Sequence, residues 1–321
     1  MTAIDPVVPD PFEPPISPQG VELGPTLRSR GLWRDALRAT FRTRSAQVGS
    51  AFLLLLVLLA VFAPLIAPYG PNEVLLDTGV SVREKPCIHL FGCSDDKPQH
   101  IMGIDGNGRD EFSRIVYGAR VSMLSGVVCV TIGLVIGTLL GLVAGFYGRA
   151  ADSVIMRCMD VLLAFPALLL AITIVTVLGR GLVNAIIAIS LVSIPIYARI
   201  VRASVLSIRE LDFVAADRAL GVRNRRILWH RVFPNALTPL VVQATLGIAT
   251  AVLEVAALSF LGLGVQPPTA EWGSMLASER NNVFTAFFLV LFPGIMIMIN
   301  VLAFNLLGDG LRDALDPRLN K

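Results

Sequence analysis

The hydrophobic residues of this chain fall in long runs separated by short polar stretches. Six segments, 48–69, 121–148, 161–179, 182–197, 237–265 and 283–307, stay nearly free of charge. Each approaches or exceeds the roughly 20 residues that a bilayer core demands of a helix. The pattern predicts an all-α, polytopic membrane protein with six transmembrane helices. The third and fourth runs are short and separated only by Gly179-Arg180-Gly181, which predicts a helical hairpin with a tight turn. In the second run Gly133, Gly137, Gly141 and Gly145 recur every four residues. Such a stripe lets a neighbouring helix approach closely inside one bundle.

Between the fourth and fifth runs lies a polar island, DFVAADRALGVRNRRILWHRVFPN, residues 212–235. It carries Arg218, Arg223, Arg225, Arg226 and Arg231, with Pro234 where the next apolar run begins. Its first half has helical spacing, and Gly221 marks a break. This is longer than a connector requires and predicts a docking element facing the cytoplasm.

Composition agrees with the membrane reading: 54% of the residues are hydrophobic, 16% are charged, and the mean hydropathy is +0.70. A soluble domain carries about 25% charged residues. The net charge of +3 says less than the placement of the charges. With both termini in the cytoplasm, 19 lysines and arginines fall on inner segments and 8 on outer ones. The positive-inside rule therefore selects an N-in, C-in orientation. Nucleic acid is not an expected partner, because the arginines adjoin membrane spans and lack interleaved aromatics.

The chain then divides into a cytoplasmic tail (1–44, disordered up to Thr26 by its Pro-rich, acidic composition), a first span (45–69), an outer loop (70–120), a core of helices two to six (121–307) containing the cytoplasmic loop 199–235, and a cytoplasmic tail (308–321). The tail lacks the charged-then-apolar order of a cleavable signal peptide.

In the outer loop Cys87 and Cys93 stand six residues apart around His89. Outside the cytoplasm such a pair favours a loop-stapling disulfide over free thiols or a metal site. The stretch HIMGIDGNGRDEFSRIVYGARVSM follows, residues 100–123. Asp105 reads as a helix cap or turn residue, and Gly103, Gly106 and Gly108 permit a tight reversal. Phe112, Ile115, Val116 and Tyr117 then recur at helical spacing opposite Arg109, Asp110, Arg114 and Arg120. That pattern predicts an amphipathic helix lying on the outer surface. Its charges form either a solvated face or the mouth of a pathway.

Enzyme chemistry finds no support. The chain lacks a GxxxxGK[ST] phosphate loop, an HExxH and a GxSxG, so it is not expected to hydrolyse ATP itself, to bind a cofactor or to hold a metal. Glu254, in the fifth run, is the clear charge within a span. An intramembrane acid marks either a functional site or a bond to a neighbouring helix at a bend. One acid is thin support for a proton-coupled carrier.

With these residues in place a resemblance becomes specific. The island resembles the loop of binding-protein-dependent ABC importer permeases, whose pattern is Glu-Ala-Ala, then Gly, then Leu-Pro. Ala215, Ala216 and Asp217 occupy the Glu-Ala-Ala positions, Gly221 the glycine, and Phe233-Pro234 the Leu-Pro. Ala215 replaces the family's glutamate, and an acid stands two positions later, which on a helix faces elsewhere. HIMGIDGNGRDEFSRIVYGAR resembles the GTDxxGRDxxSRxxYGAR signature of dipeptide, oligopeptide and nickel permeases. LSFLGLGVQPPTAEWGSML (258–276) and FNLLGDGLRDALDPR (304–318) resemble that family's fifth-span exit and C-terminal tail.

The resemblance runs from about residue 48 to residue 318 and implies the six-span C-type subunit of a heterodimer with the type I fold, in a bacterial or archaeal cell membrane. Its expected partners are a second, related permease, two cytoplasmic ATPase subunits that bind ATP and Mg, and an extracytoplasmic solute-binding protein. The coupling segment comprises Asp212, Phe213, Ala215, Ala216, Asp217, Arg218, Ala219, Leu220, Gly221, Arg223, Arg225, Arg226 and Pro234. Arg225 and Arg226 have a second expected partner in anionic membrane lipid. The expected cargo is di- or oligopeptides, with nickel chelates, heme, glutathione or another small solute as alternatives. An ion-coupled secondary transporter and a membrane-anchored scaffold or enzyme are the readings from other classes.

Overall fold

The computed structural model describes residues 40–41, 43–89, 93 and 98–315. The expected N-terminal tail as far as residue 39, and residues 316–321 of the C-terminal one, lie outside the described residues. The described chain is a helical bundle. Its helices are α1 (Arg44–Val61), α2 (Glu111–Tyr147), α3 (Arg149–Leu163), α4 (Ala167–Leu178), α5 (Leu182–Ile208), α6 (Asp212–Ala219), α7 (Phe233–Phe260), α8 (Trp272–Glu279) and α9 (Phe288–Leu315). Among the described residues there is no strand, only isolated bridges between Cys87 and His100 and between Ile104 and Asp110. Five helices are long and apolar enough to cross a membrane, or six if the bent pair α3–α4 forms one span.

The third apolar run, 161–179, is broken: its first residues end α3 at Leu163, and α4 begins at Ala167. α3 and α4 meet at 91°. Pro166 follows Ala164 and Phe165 at this junction, where it has no N–H to donate and its ring excludes a helical carbonyl. Gly179 and Gly181 then turn the chain back with φ of 98° and 138°. The Asn184 amide donates to the carbonyls of Leu178 and Gly179, both at 3.0 Å, and closes the hairpin.

α2 and α5 run side by side along the glycine stripe. A Cβ on Gly137 would stand 2.7 Å from the Ile194 carbonyl oxygen, and one on Gly141 2.5 Å from that of Ala198. The stripe therefore packs within the bundle, as its spacing predicts. α7 runs antiparallel to α2 and α5, and a core of Leu142, Tyr197, Val201, Val205, Leu240 and Val255 fills the space between them. Arg202 and Arg199 belong to α5, where they pair with Asp152 and Asp160 on α3.

Two further boundaries move. α5 continues to Ile208 and α9 to Leu315, so residues 308–315 are helix rather than tail. The expected amphipathic surface helix is absent as a separate element: residues 111–120 are the first turns of the 37-residue α2. Asp110 caps that helix, its Oδ2 accepting from the Ser113 N–H at 2.7 Å and the Ser113 hydroxyl at 2.6 Å. The charges read as an outward face instead have partners inside the protein.

Candidate functional site

At one end of the bundle, the chain leaving α5 forms α6. Leu211 precedes it in an extended conformation, and Val214 turns inward, fully buried against the core that contains Val205, Ile227 and Val232. The helix closes at Gly221, whose φ of 76° suits glycine. Gly221 N–H donates to the Arg218 carbonyl and Val222 N–H to the Asp217 carbonyl, both at 3.0 Å. These two bonds are the Schellman pair that satisfies the last carbonyls of a helix.

Apart from Asp217, the rest of α6 points outward. Asp212, Phe213, Ala215, Ala216, Arg218, Ala219 and Leu220 are exposed, Leu220 by 80%. Arg223 begins the next helical turn, Asn224–Ile227, and Arg225 and Arg226 follow within it, all exposed. A wide turn, Leu228–Val232, leads into α7, where Pro234 cannot donate and the Asn235 amide reaches back to the Arg231 carbonyl at 2.6 Å. Asp217, the displaced acid, accepts from Arg231 Nε at 3.0 Å. It braces α6 against the following segment and faces away from the exposed alanines. The helix expected in the first half of the island thus ends at Ala219, just before Gly221.

The opposite end gathers the remaining sequence motifs into one cap. Asp105 Oδ1 accepts from the backbone of Asn107 and Arg109 at 2.8 and 2.9 Å, and its Oδ2 from Arg109 Nε at 2.8 Å. Arg114 Nε lies 3.5 Å from the same carboxylate, while its Nη1 donates to the carbonyls of Pro71 and Pro268. Asp105, Arg109, Asp110 and Arg114 are all buried. Gly108, at φ 77°, lets the turn close beneath Leu76. Arg120 alone of this set is exposed; it donates to the final carbonyls of α1, those of Ala60 and Val61. His100 Nδ1 meets Asp110 Oδ1 at 3.0 Å. Cys87 and Cys93 are joined by a disulfide, and Cys87 exchanges both backbone bonds with His100 at 2.9 Å.

Glu271, Trp272 and Glu279 complete the cap and escape a reading based on runs and charge. Glu271 caps α8, accepting from Gly273 N–H at 2.9 Å and Ser274 N–H at 2.8 Å. Burial pushes its carboxyl up, and those donors draw it part of the way back. Trp272 is fully buried and donates to the Ile115 carbonyl at 3.1 Å. Glu279 accepts from Gly106 N–H and Arg83 Nε, each at 2.9 Å. The available signal was the similarity of EWGSML to a known motif; the Trp272 partner Ile115 lies 157 residues away.

Glu254 lies in the last third of the membrane-length helix α7 and is half-buried. Its expected bond to a neighbouring helix is not made within the described chain. It lines a cavity of about 120 Å³ bounded by the α3–α4 bend, α5 and α7. No group of three or more His, Cys, Asp or Glu residues able to hold a metal occurs among the described residues.

The bundle has the fold of a type I ABC importer permease. Of solved structures, the MetNI methionine ABC transporter in an inward-facing conformation superposes with a TM-score of 0.51 at 21% identity, over 64% of this chain and 97% of that one. The chain belongs to the family of binding-protein-dependent transport system inner membrane components, which matches residues 137–321. The N-terminal TM domain of oligopeptide transport permease C matches residues 31–84. Among curated relatives, the dipeptide transport system permease protein DppC of Alkalihalophilus pseudofirmus is 46% identical over 98% of this chain and 96% of its own length. The di/tripeptide transport system permease protein DppC of Pseudomonas aeruginosa is 49% identical over 86% and 89%. The glutathione transport system permease protein GsiD of Escherichia coli is 43% identical over 89% and 91%. The chain is therefore a C-type permease subunit of an ABC importer, a transport subunit rather than an enzyme.

Proposed function

We propose that this chain carries short peptides inward as one half of a permease pair, with ATP hydrolysed on separate subunits docked at α6. The supporting observation is α6 itself. It is held by one buried residue, Val214, and offers Phe213, Leu220 and three alanines to a partner. An exposed apolar face bordered by Arg218, Arg223, Arg225 and Arg226 suits a groove in a protein with acidic margins. Closure of an ATPase pair would displace this helix as a rigid body and carry α5 and α7 with it. Arg225 and Arg226 also suit anionic lipid headgroups.

The same reading gives six spans, α3 and α4 together forming the third, with both termini cytoplasmic. α1 begins and α9 ends at the same end of the bundle as α6. Gly310 packs on Ala46 and Thr43, Arg312 and Leu315 border a pocket with Thr238 and Pro239 at the start of α7, and Arg120 grips the far end of α1. The cap then faces outward, where a solute-binding protein would dock. ATP and Mg belong to the ATPase subunits, and no cofactor is assigned to this chain. Relatives named for dipeptides, tripeptides and glutathione share one cargo chemistry, a small peptide.

Reconstitution of the whole importer in proteoliposomes tests this. ATP-dependent uptake of a labelled dipeptide delivered by the binding protein is expected. Uptake that proceeds without ATP, or none by an assembled complex that hydrolyses ATP, would overturn it.

A further inference from the structure

Along α7, Gln243, Gly247, Thr250 and Glu254 recur at steps of four, three and four, which places them on one stripe of the helix. All four line the cavity beside the α3–α4 bend, and Ser193 and Tyr197 face them from α5. Two of the hydroxyls have already committed their protons. Thr250 Oγ1 donates to the Leu246 carbonyl at 3.3 Å and Ser193 Oγ to the Ser190 carbonyl at 2.8 Å. Toward the cavity each therefore presents lone pairs.

Glu254 adds a carboxylate that makes no hydrogen bond or ion pair among the described residues. A carboxylate in a membrane span is costly and calls for a partner. The wall is mostly apolar. The Thr250 and Ser193 hydroxyls offer acceptors, and the Tyr197 hydroxyl and Gln243 amide can donate or accept. Among the described residues its one formal charge is the Glu254 carboxylate, so the cavity selects a cation that donates hydrogen bonds. A metal ion is the weaker fit, because no cluster of ligating residues surrounds Glu254 among the described residues. An ammonium group carries one charge and three donors, which matches one carboxylate flanked by hydroxyl acceptors.

Size narrows the occupant. The cavity measures about 120 Å³, well below the roughly 300–1,000 Å³ of pockets that enclose a whole small ligand. It admits the end of a molecule rather than the whole of it. We propose that this cavity receives the terminal ammonium group of a peptide in transit, with Glu254 as its charge partner and Thr250 as a second acceptor. The proposal rests on the peptide-carrier reading and adds a recognition element to it. From Glu254 the stripe continues toward the α6 end, reaching Gln243 after about 16 Å at 1.5 Å per residue.

The test uses the complete reconstituted importer and a labelled dipeptide with a free amine. Uptake by Glu254→Gln is expected to fall about tenfold or more, the scale of a lost hydrogen bond to a charged group. Glu254→Asp is expected to restore most of it, while binding-protein-stimulated ATP hydrolysis persists in both. Thr250→Val is expected to lower uptake severalfold without touching the charge, and it decides the question if Glu254→Gln does not assemble. Wild-type uptake in both Glu254→Gln and Thr250→Val would overturn the site. Loss of permease pairing and stimulated hydrolysis together with uptake in Glu254→Gln, with Thr250→Val at the wild-type rate, would overturn it in favour of a strut between subunits. A wild-type complex that takes up no dipeptide removes the cargo reading and this site with it, and that result needs no variant to be seen.

Discussion

At the cap, Asp105, Arg109, Asp110 and Arg114 are at most 7% exposed, and each has charged or backbone partners within the chain. At the other end Arg218, Arg223, Arg225 and Arg226 stand in solvent with no ion pair among the described residues. Both stretches are arginine-bearing and glycine-punctuated, so their local sequences look alike. They differ in where the partners are. Cap charges are answered by carbonyls and carboxylates of this chain, which makes the cap a rigid platform. The α6 end leaves its charges and its apolar residues unanswered within the described chain, which is what the proposed docking surface calls for. Substitutions at the two ends should therefore separate stability from coupling.

The largest effect on folding is expected from Asp105→Ala. It leaves Arg109 and Arg114 buried without their carboxylate, and breaking a buried pair this way costs about 3–5 kcal/mol. The purified complex should show a markedly lower unfolding midpoint, or the subunit should fail to accumulate. An unchanged midpoint would mean that the cap is hydrated and its burial irrelevant.

Glu271→Ala comes next, at about 0.5–2 kcal/mol for a lost helix cap. Glu271→Gln keeps one acceptor and should cost less. The carboxyl is raised above its ordinary value of 4.5 by burial. A group so raised contributes stability that is present below the unfolded value and lost as pH rises through the folded one. Raising pH from acid through that window should therefore shift the balance toward Glu271→Gln relative to wild type. A stability difference between the two proteins that stays constant across it would contradict the burial argument.

How much of this contrast is legible in the sequence depends on how far the deciding partner lies along the chain. α6 is local: its alanines, the stop at Gly221 and the flanking arginines fall within fifteen residues, so the sequence predicts both the element and its exposure. The glycine stripe of α2 is equally local. The cap is different. Whether Arg114 faces water or protein depends on the Pro268 carbonyl, 154 residues away, and no periodicity encodes that. Distance likewise hides Glu279, whose partners Gly106 and Arg83 lie 173 and 196 residues away. The bend at Pro166 was visible as a proline, but hydropathy measures apolar character and passes over a missing donor. Glu254 stood out as a charge; its companions Gln243 and Thr250 did not, because a polar stripe of three residues barely lowers the hydropathy of a long helix.

Asp217→Ala should have a smaller effect on folding than either cap change. It frees Arg231, which is 59% exposed, and exposed pairs of this kind contribute about 0.2–1 kcal/mol. Loosening of α6 should appear as faster amide exchange in that helix with the unfolding midpoint nearly unchanged. Identical exchange would show that Val214 alone anchors it.

Ala216→Trp should have the smallest effect on the fold and the sharpest on function. Ala216 is exposed on α6, so the indole displaces nothing inside the subunit, and a surface change of this kind stays within about 0.5 kcal/mol. In a protein groove the same side chain has to be accommodated against close-packed partner atoms, where overpacking costs about 1–3 kcal/mol. A lipid contact makes no such demand, since acyl chains and headgroups rearrange around added bulk. The variant should therefore reach the membrane and pair with its companion permease normally, yet bind the ATPase subunits weakly or fail to link hydrolysis to uptake. Purified complexes are scored for ATPase retention, and proteoliposomes for peptide carried per ATP consumed. Full retention and full uptake would show that this face of α6 meets lipid or water, and the contrast between the two ends would lose its functional meaning.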